Sequence, residues 1–553
     1  MKKLTLILLL LVTFGKASGQ IDNSDKMALY GRIWGMIKFY HPTIQKNKIN
    51  WDTVFVFNYS KFKSATDTAS YNKLLKNLLD TVGKVHINDK SYKHFPKDTT
   101  ICNLDFKWID NSNLLNSQNK ALLTNIIKYY KPRTNKTIEK ENIGYDMKEV
   151  WQSKFTSYPN EALCMLALFN YWNRINYFFA YKTLMDIPWD KTLDEFIPRI
   201  ESASGTKEFY LLMAELITRI NDGHGWCVNK IVNTEIGTSL FFRTEFVESK
   251  TIVSNINDSL SRFLGIKRGD EIIEANGKLI SQRRIELDKY IGGSNKGSIE
   301  LSKNYRILGL KYWGPFNIKI KDTLGFEKNI AFNRDSTFNN KLHSFSTNTK
   351  NEKSYKFISE NYGYIDAGIT TIKDVRKAFQ EFASTKAIII DLRKYGGAST
   401  YFYTMHITNK NMPYATLYIG DSKFPGSFEK TVYKTNQFGI AFLQRKYKGQ
   451  IVVLTDEHTG SGMELMSMCF RATGKVIIIG RNTGGYDGSC KPFLIRPDFG
   501  AAYSGDAVFY PNGTQTQRVG IVPDIYVNAT FDGVKRGKDE ILDRALQYLM
   551  IGQ

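Results

Sequence analysis

The chain has 553 residues, of which 42% are hydrophobic and 13% aromatic. That is too long for one compact core and too apolar for a disordered chain, so several folded domains are expected. The formal net charge is +22, but the lysines are scattered and no arginine-rich arm or nucleic-acid fold signature accompanies them. The excess therefore points away from nucleic acid and toward solubility or attraction of acidic surfaces and anionic substrates.

The first twenty residues read MKKLTLILLLLVTFGKASGQ. Lys2 and Lys3 precede an apolar run ending at Phe14, and the small residues Ala17, Ser18 and Gly19 follow. This is the pattern of a secretory signal peptide over residues 1–19, cleaved before Gln20. The run is short for a transmembrane helix, and no other run is long enough to span a bilayer. No cysteine near the cleavage site suggests a lipid anchor. The expectation is a soluble exported protein, periplasmic or extracellular. Cys102, Cys164, Cys227, Cys469 and Cys490 are widely spaced, which is neither a zinc pattern nor a dense disulfide framework. An oxidising compartment permits bridges, but the sequence does not pair the thiols.

Residues 20–232 read as helical, with one small unit present twice, at about 25–90 and 163–228. At a single constant offset Trp34 faces Trp172, Trp51-Asp52 faces Trp189-Asp190, and His86 faces His224. Between them Tyr71, Leu74, Leu75, Leu78, Leu79 and Val82 face Phe209, Leu212, Met213, Leu216, Ile217 and Ile220. Spacings of three and four are helical, and the aromatic stripe reads as core. The second copy ends Asn221-Asp222-Gly223-His224-Gly225-Trp226. Flanking glycines and an acid make His224 a better functional histidine than His86, although a histidine after a helix is also an ordinary structural residue.

Residues 238–333 hold several short strand-like runs, TSLFFRTEFV, TIVSNI, NIKIK and KNIAF. Residues 265–277, GIKRGDEIIEANG, resemble a PDZ-domain segment, with glycines at turns and Ile272-Ile273 in a strand. PDZ domains bind peptides by adding a strand to a sheet edge and often take a terminal carboxylate. A non-binding spacer of the same fold fits the residues equally well.

Residues 340–553 read as an α/β segment. AIIIDLRKYGG, at 387–397, is a buried strand ending in Asp391-Leu392-Arg393 and the pair Gly396-Gly397. IVVLTDEHTGSGMELMSMCF, at 451–470, is a strand, a glycine-containing turn and a helix that begins at Ser461. A hydroxyl there lies beside unpaired N–H groups and the positive end of a helix dipole, where an oxyanion is stabilised. Ser461 with Glu464 is also a capping box, so both readings stand on this segment alone. Gly462, after the serine, would give one oxyanion donor, and Gly396 or Gly397 the second. Ile541, Leu542, Ala545, Leu546 and Leu549 share one face of a tail helix that would pack on this core.

Taken in order, the Gly-His segment, the PDZ-like module, Asp-Leu-Arg-x-x-Gly-Gly, the Ser461 turn and Gly520-Ile521-Val522-Pro523-Asp524 resemble the carboxyl-terminal processing (tail-specific) serine peptidases. The resemblance spans essentially all of the mature chain and is strongest over 361–549. It implies a multidomain α/β protein with a Clp-protease/crotonase-like core, cutting proteins or peptides through an acyl-enzyme on Ser461. One branch of that family uses a lysine base after Gly-Glu-Pro-Thr-x-Gly. The matching stretch here is Gly480-Arg481-Asn482-Thr483-Gly484-Gly485-Tyr486, and Tyr486 stands where the lysine would be. Lys475 and Lys491 are off the motif and read as surface residues. The tricorn-like branch uses a histidine from the helical segment, and His224 matches it. Imidazole titrates near neutrality and suits the role. His458 and His406 are the rival bases. The glutamate that orients the base in that branch corresponds to Gln517, which can hold a tautomer but carries no charge. Asp222 and Asp524 are alternative acids, and Glu464 reads as helix-capping. No cofactor or metal is expected, because the histidines show no His-Glu-x-x-His pattern. The rival reading is an inactive relative that binds a ligand or peptide without proteolysis, as the retinoid-carrying protein of the eye does on this scaffold.

Overall fold

The computed structural model describes residues 21–46, 48–85, 101–131, 160–237, 241–311, 313–346, 353–421, 423–436 and 444–551. The signal-peptide segment 1–19, His86 and the opening of the run at 238 lie outside them. The chain divides into two compact units, residues 1–93 with 105–131 and residues 94–104 with 132–553.

The first unit is helical in its described residues. Helix Asn23–Tyr40 starts where Asp22 accepts from Ser24 N at 2.8 Å. Trp51–Ser64 starts where Asn50 accepts from Thr53 N at 3.0 Å, and Thr68–Val82 where Asp67 accepts from Ser70 N at 2.8 Å. Each cap satisfies an N–H that the helix itself leaves without a partner. Tyr30, Trp34, Phe55, Phe62 and Tyr71 are buried between them. Trp34 and Trp51 each donate an indole N–H to the other's carbonyl, at 3.4 and 2.9 Å.

In the second unit, helices Glu161–Phe178, Lys191–Glu201 and Thr206–Thr218 come first. Here Trp172 and Trp189 make the same reciprocal pair of bonds, at 3.1 and 3.0 Å. Thr206–Thr218 buries Phe209, Leu212, Met213, Leu216 and Ile217, the helical spacing read from the sequence. It delivers the chain to the His224 loop and then to β1 (Cys227–Val228).

A β-rich module follows. It contains β2 (Arg243–Val247), β3 (Lys250–Asn255), β4 (Glu271–Ala275), β5 (Lys278–Leu279), β6 (Gly314–Lys321) and β7 (Glu327–Arg334), in the antiparallel order β2-β3-β4-β6-β7 with β5 on β4. Within 265–277, Asp270 accepts from Lys267 N at 2.7 Å. Asn276 and Gly277, at φ 48° and 77°, turn β4 into β5, a conformation that asparagine and glycine tolerate.

The remaining strands are β8 (Tyr355–Ser359), β9 (Tyr362–Asp366), β10 (Ala387–Asp391), β11 (Pro413–Gly420), β12 (Phe428–Lys434), β13 (Gln450–Thr455), β14 (Val476–Gly480), β15 (Cys490–Arg496), β16 (Phe499–Ser504), β17 (Asp506–Phe509) and β18 (Ile525–Tyr526). The central sheet runs β18-β14-β13-β10-β9-β8, and its pairs are parallel except for β8 on β9. Continuous apolar strands belong in such a sheet because both faces are covered. Ile388, Ile390 and Val453 pack on one face with Met466, Phe470 and Val375 from helices. Ile389, Val452, Leu454 and Ile479 pack on the other with Ile541 and Ala545 of the tail helix Glu540–Ile551. Burying each such side chain is worth about 1.5–3 kcal/mol. Two smaller sheets, β1-β16-β15 and β12-β11-β17, complete the unit.

Among the described residues no disulfide joins any of the five cysteines. Among the described residues no helix is long and apolar enough to cross a membrane, and no cluster of three or more potential ligands could hold a metal.

Candidate active site

Strand β13 ends at Thr455, and helix Gly462–Ala472 begins seven residues later. Between them the chain turns on Ser461, at φ 52° and ψ −125°. Few side-chain-bearing residues hold a positive φ, and such strain clusters at functional sites. Among the described residues six non-glycine residues do so, and three of them, Asn221, Ser461 and Arg518, flank or form this site.

The turn is held by Glu464. Its fully buried carboxylate accepts from Ser461 N at 3.1 Å, Gly485 N at 2.8 Å and Tyr486 N at 3.0 Å, and from the Thr483 hydroxyl. Glu464 thus ties the 483–486 loop to the helix start, as well as capping the helix. Burial pushes its pKa up to about 7, against the pull of those donors. Nearby, burial and the charge of Glu464 push Asp487 well above its usual range. The Ser461 side chain and Glu464 form a capping box, and the Ser461 hydroxyl proton is directed elsewhere. The hydroxyl donates to the Gly488 carbonyl at 3.2 Å.

Gly462 opens the helix, so its N–H has no intrahelical acceptor. A Cβ built on Gly462 would lie 3.7 Å from the Tyr395 hydroxyl, which brings the loop preceding Gly396 and Gly397 beside the serine turn. Both of those glycines have positive φ, at 133° and 76°. A Cβ on Gly397 would stand 1.8 Å from the Ala367 carbonyl oxygen, so only glycine fits there.

His224 is buried, 8% exposed. β1 and β16 pair antiparallel with Cys227 opposite Ala501 and Val228 opposite Gly500. The same register carried back along the chain sets His224 opposite Ser504. Nδ1 of His224 lies 2.8 Å from the Ser504 hydroxyl, which donates to Asp222 Oδ1 at 2.8 Å. Ser504 N donates to Asp222 Oδ2 at 2.6 Å. Gln517 Nε2 donates to Asp222 Oδ1 at 3.1 Å and to Ser294 Oγ at 3.2 Å. Ser294 also accepts from Gly223 N at 2.8 Å, so the β-rich module braces the histidine loop. Burial lowers the pKa of His224, and the Asp222 charge opposes that.

Tyr486 touches both halves of the site. Its ring meets that of His224 edge-on with centroids 5.1 Å apart. A Cβ on Gly223, Gly460 or Gly484 would fall 2.2 Å from a Tyr486 atom, so three glycines make the slot for this ring. No hydrogen bond joins Ser461 to His224 among the described residues.

The other candidates go elsewhere. His458 Nδ1 lies 3.3 Å from Asp456 Oδ2, which raises the histidine's pKa against its burial. It lines a cavity of about 340 Å3 with Arg481, Arg393 and Glu245, and Ser461 is not in that lining. His406 stacks on Phe379 at 4.7 Å, and burial holds its pKa down at about 4. Asp524 accepts from Ile478 N at 2.7 Å, a sheet-edge role. Lys475 and Lys491 are exposed. Ser504 carried no signal in the sequence, since it ends a strand of small and aromatic residues. Only the strand register reveals it.

Residues 342–527 match the model of Peptidase family S41. No curated protein matches the chain by sequence. Among solved structures, mature CPAF complexed with lactacystin is 15% identical, covers 71% of this chain and 100% of its own, and superposes with a TM-score of 0.52. A photosystem II D1 C-terminal processing protease is 13% identical, covers 69% and 99%, and scores 0.40. The tricorn protease is 16% identical, covers 70% and 36%, and scores 0.34.

Proposed function

We propose that this chain, a serine peptidase carrying the S41 domain over residues 342–527, cleaves exported proteins or peptides through an acyl-enzyme formed on Ser461, with His224 as general base. The observation that carries the reading is the Ser461 turn. A serine is held at positive φ at a helix start, and its hydroxyl donates to the Gly488 carbonyl outside the helix. A serine that only capped the helix would have ordinary extended backbone.

In the reaction, Ser461 leaves the Gly488 carbonyl and gives its proton to Nε2 of His224 as it attacks the scissile carbonyl. The oxyanion receives the Gly462 N–H and one from Gly396 or Gly397, at the positive end of the helix. His224 then returns the proton to the leaving amine, and water hydrolyses the ester by the same route. Gln517 belongs to the centre through its bond to Asp222. Ser461 and His224 must close on each other for the first step. Catalytic hydrogen bonds often tighten only in the substrate complex, and Tyr486, lodged against His224 and Gly460, is the side chain that must yield.

The core is of the Clp-protease/crotonase type. The β-rich module is PDZ-like and presents substrate C-termini to it. The signal-peptide pattern of residues 1–19 supports a periplasmic or extracellular enzyme. Hydrolysis of a fluorescent casein tests the reading. It should be abolished in Ser461→Ala and fall at least 100-fold in His224→Ala, by analogy with loss of a general base. A folded wild type that leaves casein and a panel of C-terminal peptides uncut refutes it.

A further inference from the structure

We propose that Ser504 and Asp222 form the positioning relay of His224. Asp222 supplies the negative charge, the Ser504 hydroxyl links it to the ring, and Gln517 fixes the carboxylate rather than the histidine. This rests on the Ser461–His224 reading above and assigns the acid that Gln517 cannot be.

The donor count sets the direction of every bond. Asp222 receives Ser504 N, Ser504 Oγ, His224 N and Gln517 Nε2 at 2.6, 2.8, 3.2 and 3.1 Å. Four donors converge on it, which suits an ionised, acceptor-only carboxylate. The Ser504 proton is therefore committed to Asp222, and its oxygen is left to accept. Nδ1 of His224 must then carry a hydrogen and donate it to Ser504. That tautomer leaves the lone pair on Nε2, the nitrogen that a general base needs. When Nε2 takes the Ser461 proton, the ring becomes a cation with both N–H groups in place. Nδ1–H still donates to Ser504 and Ser504 still donates to Asp222, so no proton leaves the relay.

Gln517 completes the cradle. Its Nε2 faces two acceptors, Asp222 Oδ1 and Ser294 Oγ, and its Oε1 is buried without a partner among the described residues. Turning the amide over would set Oε1 against the carboxylate. A glutamate here would place two carboxylates side by side. The titratable groups around the network are Tyr171, Tyr181 and Cys490 beside Asp222, and Tyr486 on the ring. All are held protonated, with pKa values raised by burial. Asp222 is thus the charge that the Nδ1 side of the ring feels.

The test is the rate of fluorophosphonate labelling of the full chain from pH 5 to 9, with thermal unfolding as the check on folding. Removing one charge-linked hydrogen bond predicts labelling about 10- to 100-fold slower in Ser504→Ala. Ser504→Thr, which keeps the hydroxyl, should recover part of that loss. Asp222→Asn removes the charge that supports the protonated ring, so its pH–rate profile should move to lower pH, an effect that a purely structural residue would not produce. Gln517→Glu should label more slowly than the wild type. The relay is overturned if folded Ser504→Ala labels within about twofold of the wild-type rate with an unchanged pH profile, or if Gln517→Glu labels faster. In both cases His224→Ala would still label at least about 100-fold more slowly than the wild type, and the peptidase reading would survive. Labelling of His224→Ala near the wild-type rate overturns the base assignment and the relay with it.

Discussion

Replacing Ser461 by glycine should stabilise the protein relative to replacing it by alanine, the reverse of the ordinary order. Both changes delete the hydroxyl and its bond to Gly488, so their difference isolates the backbone. At φ 52° and ψ −125° a Cβ is strained, and such a conformation costs about 1–3 kcal/mol. Glycine escapes that cost but loses about 0.5–1 kcal/mol to its greater freedom when unfolded. The balance favours Ser461→Gly over Ser461→Ala by about 1 kcal/mol. The unit that holds Ser461, residues 94–104 with 132–553, is well above the 150–250 residues for which 1 kcal/mol moves Tm by about 2–4 °C, so the difference is about 1 °C. Differential scanning calorimetry of the two variants under one buffer reads it directly. A glycine variant that melts below the alanine variant would show that the turn stores no strain, and the argument for a held nucleophile would lose its main support.

Glu464 binds a proton in the fold up to about pH 7 but only to about 4.5 when unfolded. A native state that holds the extra proton loses stability as pH rises through that window. Urea titrations should therefore show wild-type stability falling from pH 4.5 to 7, with a smaller fall in Glu464→Gln; equal slopes would contradict the assignment. Arg393 joins Asp391 at 2.6 Å to Asp539 at 2.7 Å, fixing the tail helix to the end of β10. Arg393→Ala strands a buried carboxylate and should cost about 3 kcal/mol, measured by urea unfolding; a change below about 1 kcal/mol would mean that the pair is solvated.

Much of this arrangement was legible in the residues. The β-branched run AIIID announces a strand covered on both faces, and β10 is such a strand. The three-and-four spacing of 209–217 gave the helix Thr206–Thr218. Ser461 was visible because a strand, a glycine turn and a helix meet there, a local pattern. What was hidden depends on contacts between distant segments. Ser504 meets His224 through a register between β1 and β16 that no local spacing encodes. Asp222 could be named as an acid, but whether it served a turn or a histidine depended on which strand came to lie beside it. Likewise, nothing near His458 in the chain says that its ring meets Asp456.

The most direct test of the central claim is to treat the full chain with a fluorophosphonate and map the adduct by mass spectrometry. A single phosphonylated peptide containing Ser461 is expected, absent from Ser461→Ala and strongly reduced in His224→Ala. An adduct on another serine, or none on a folded protein, would contradict it.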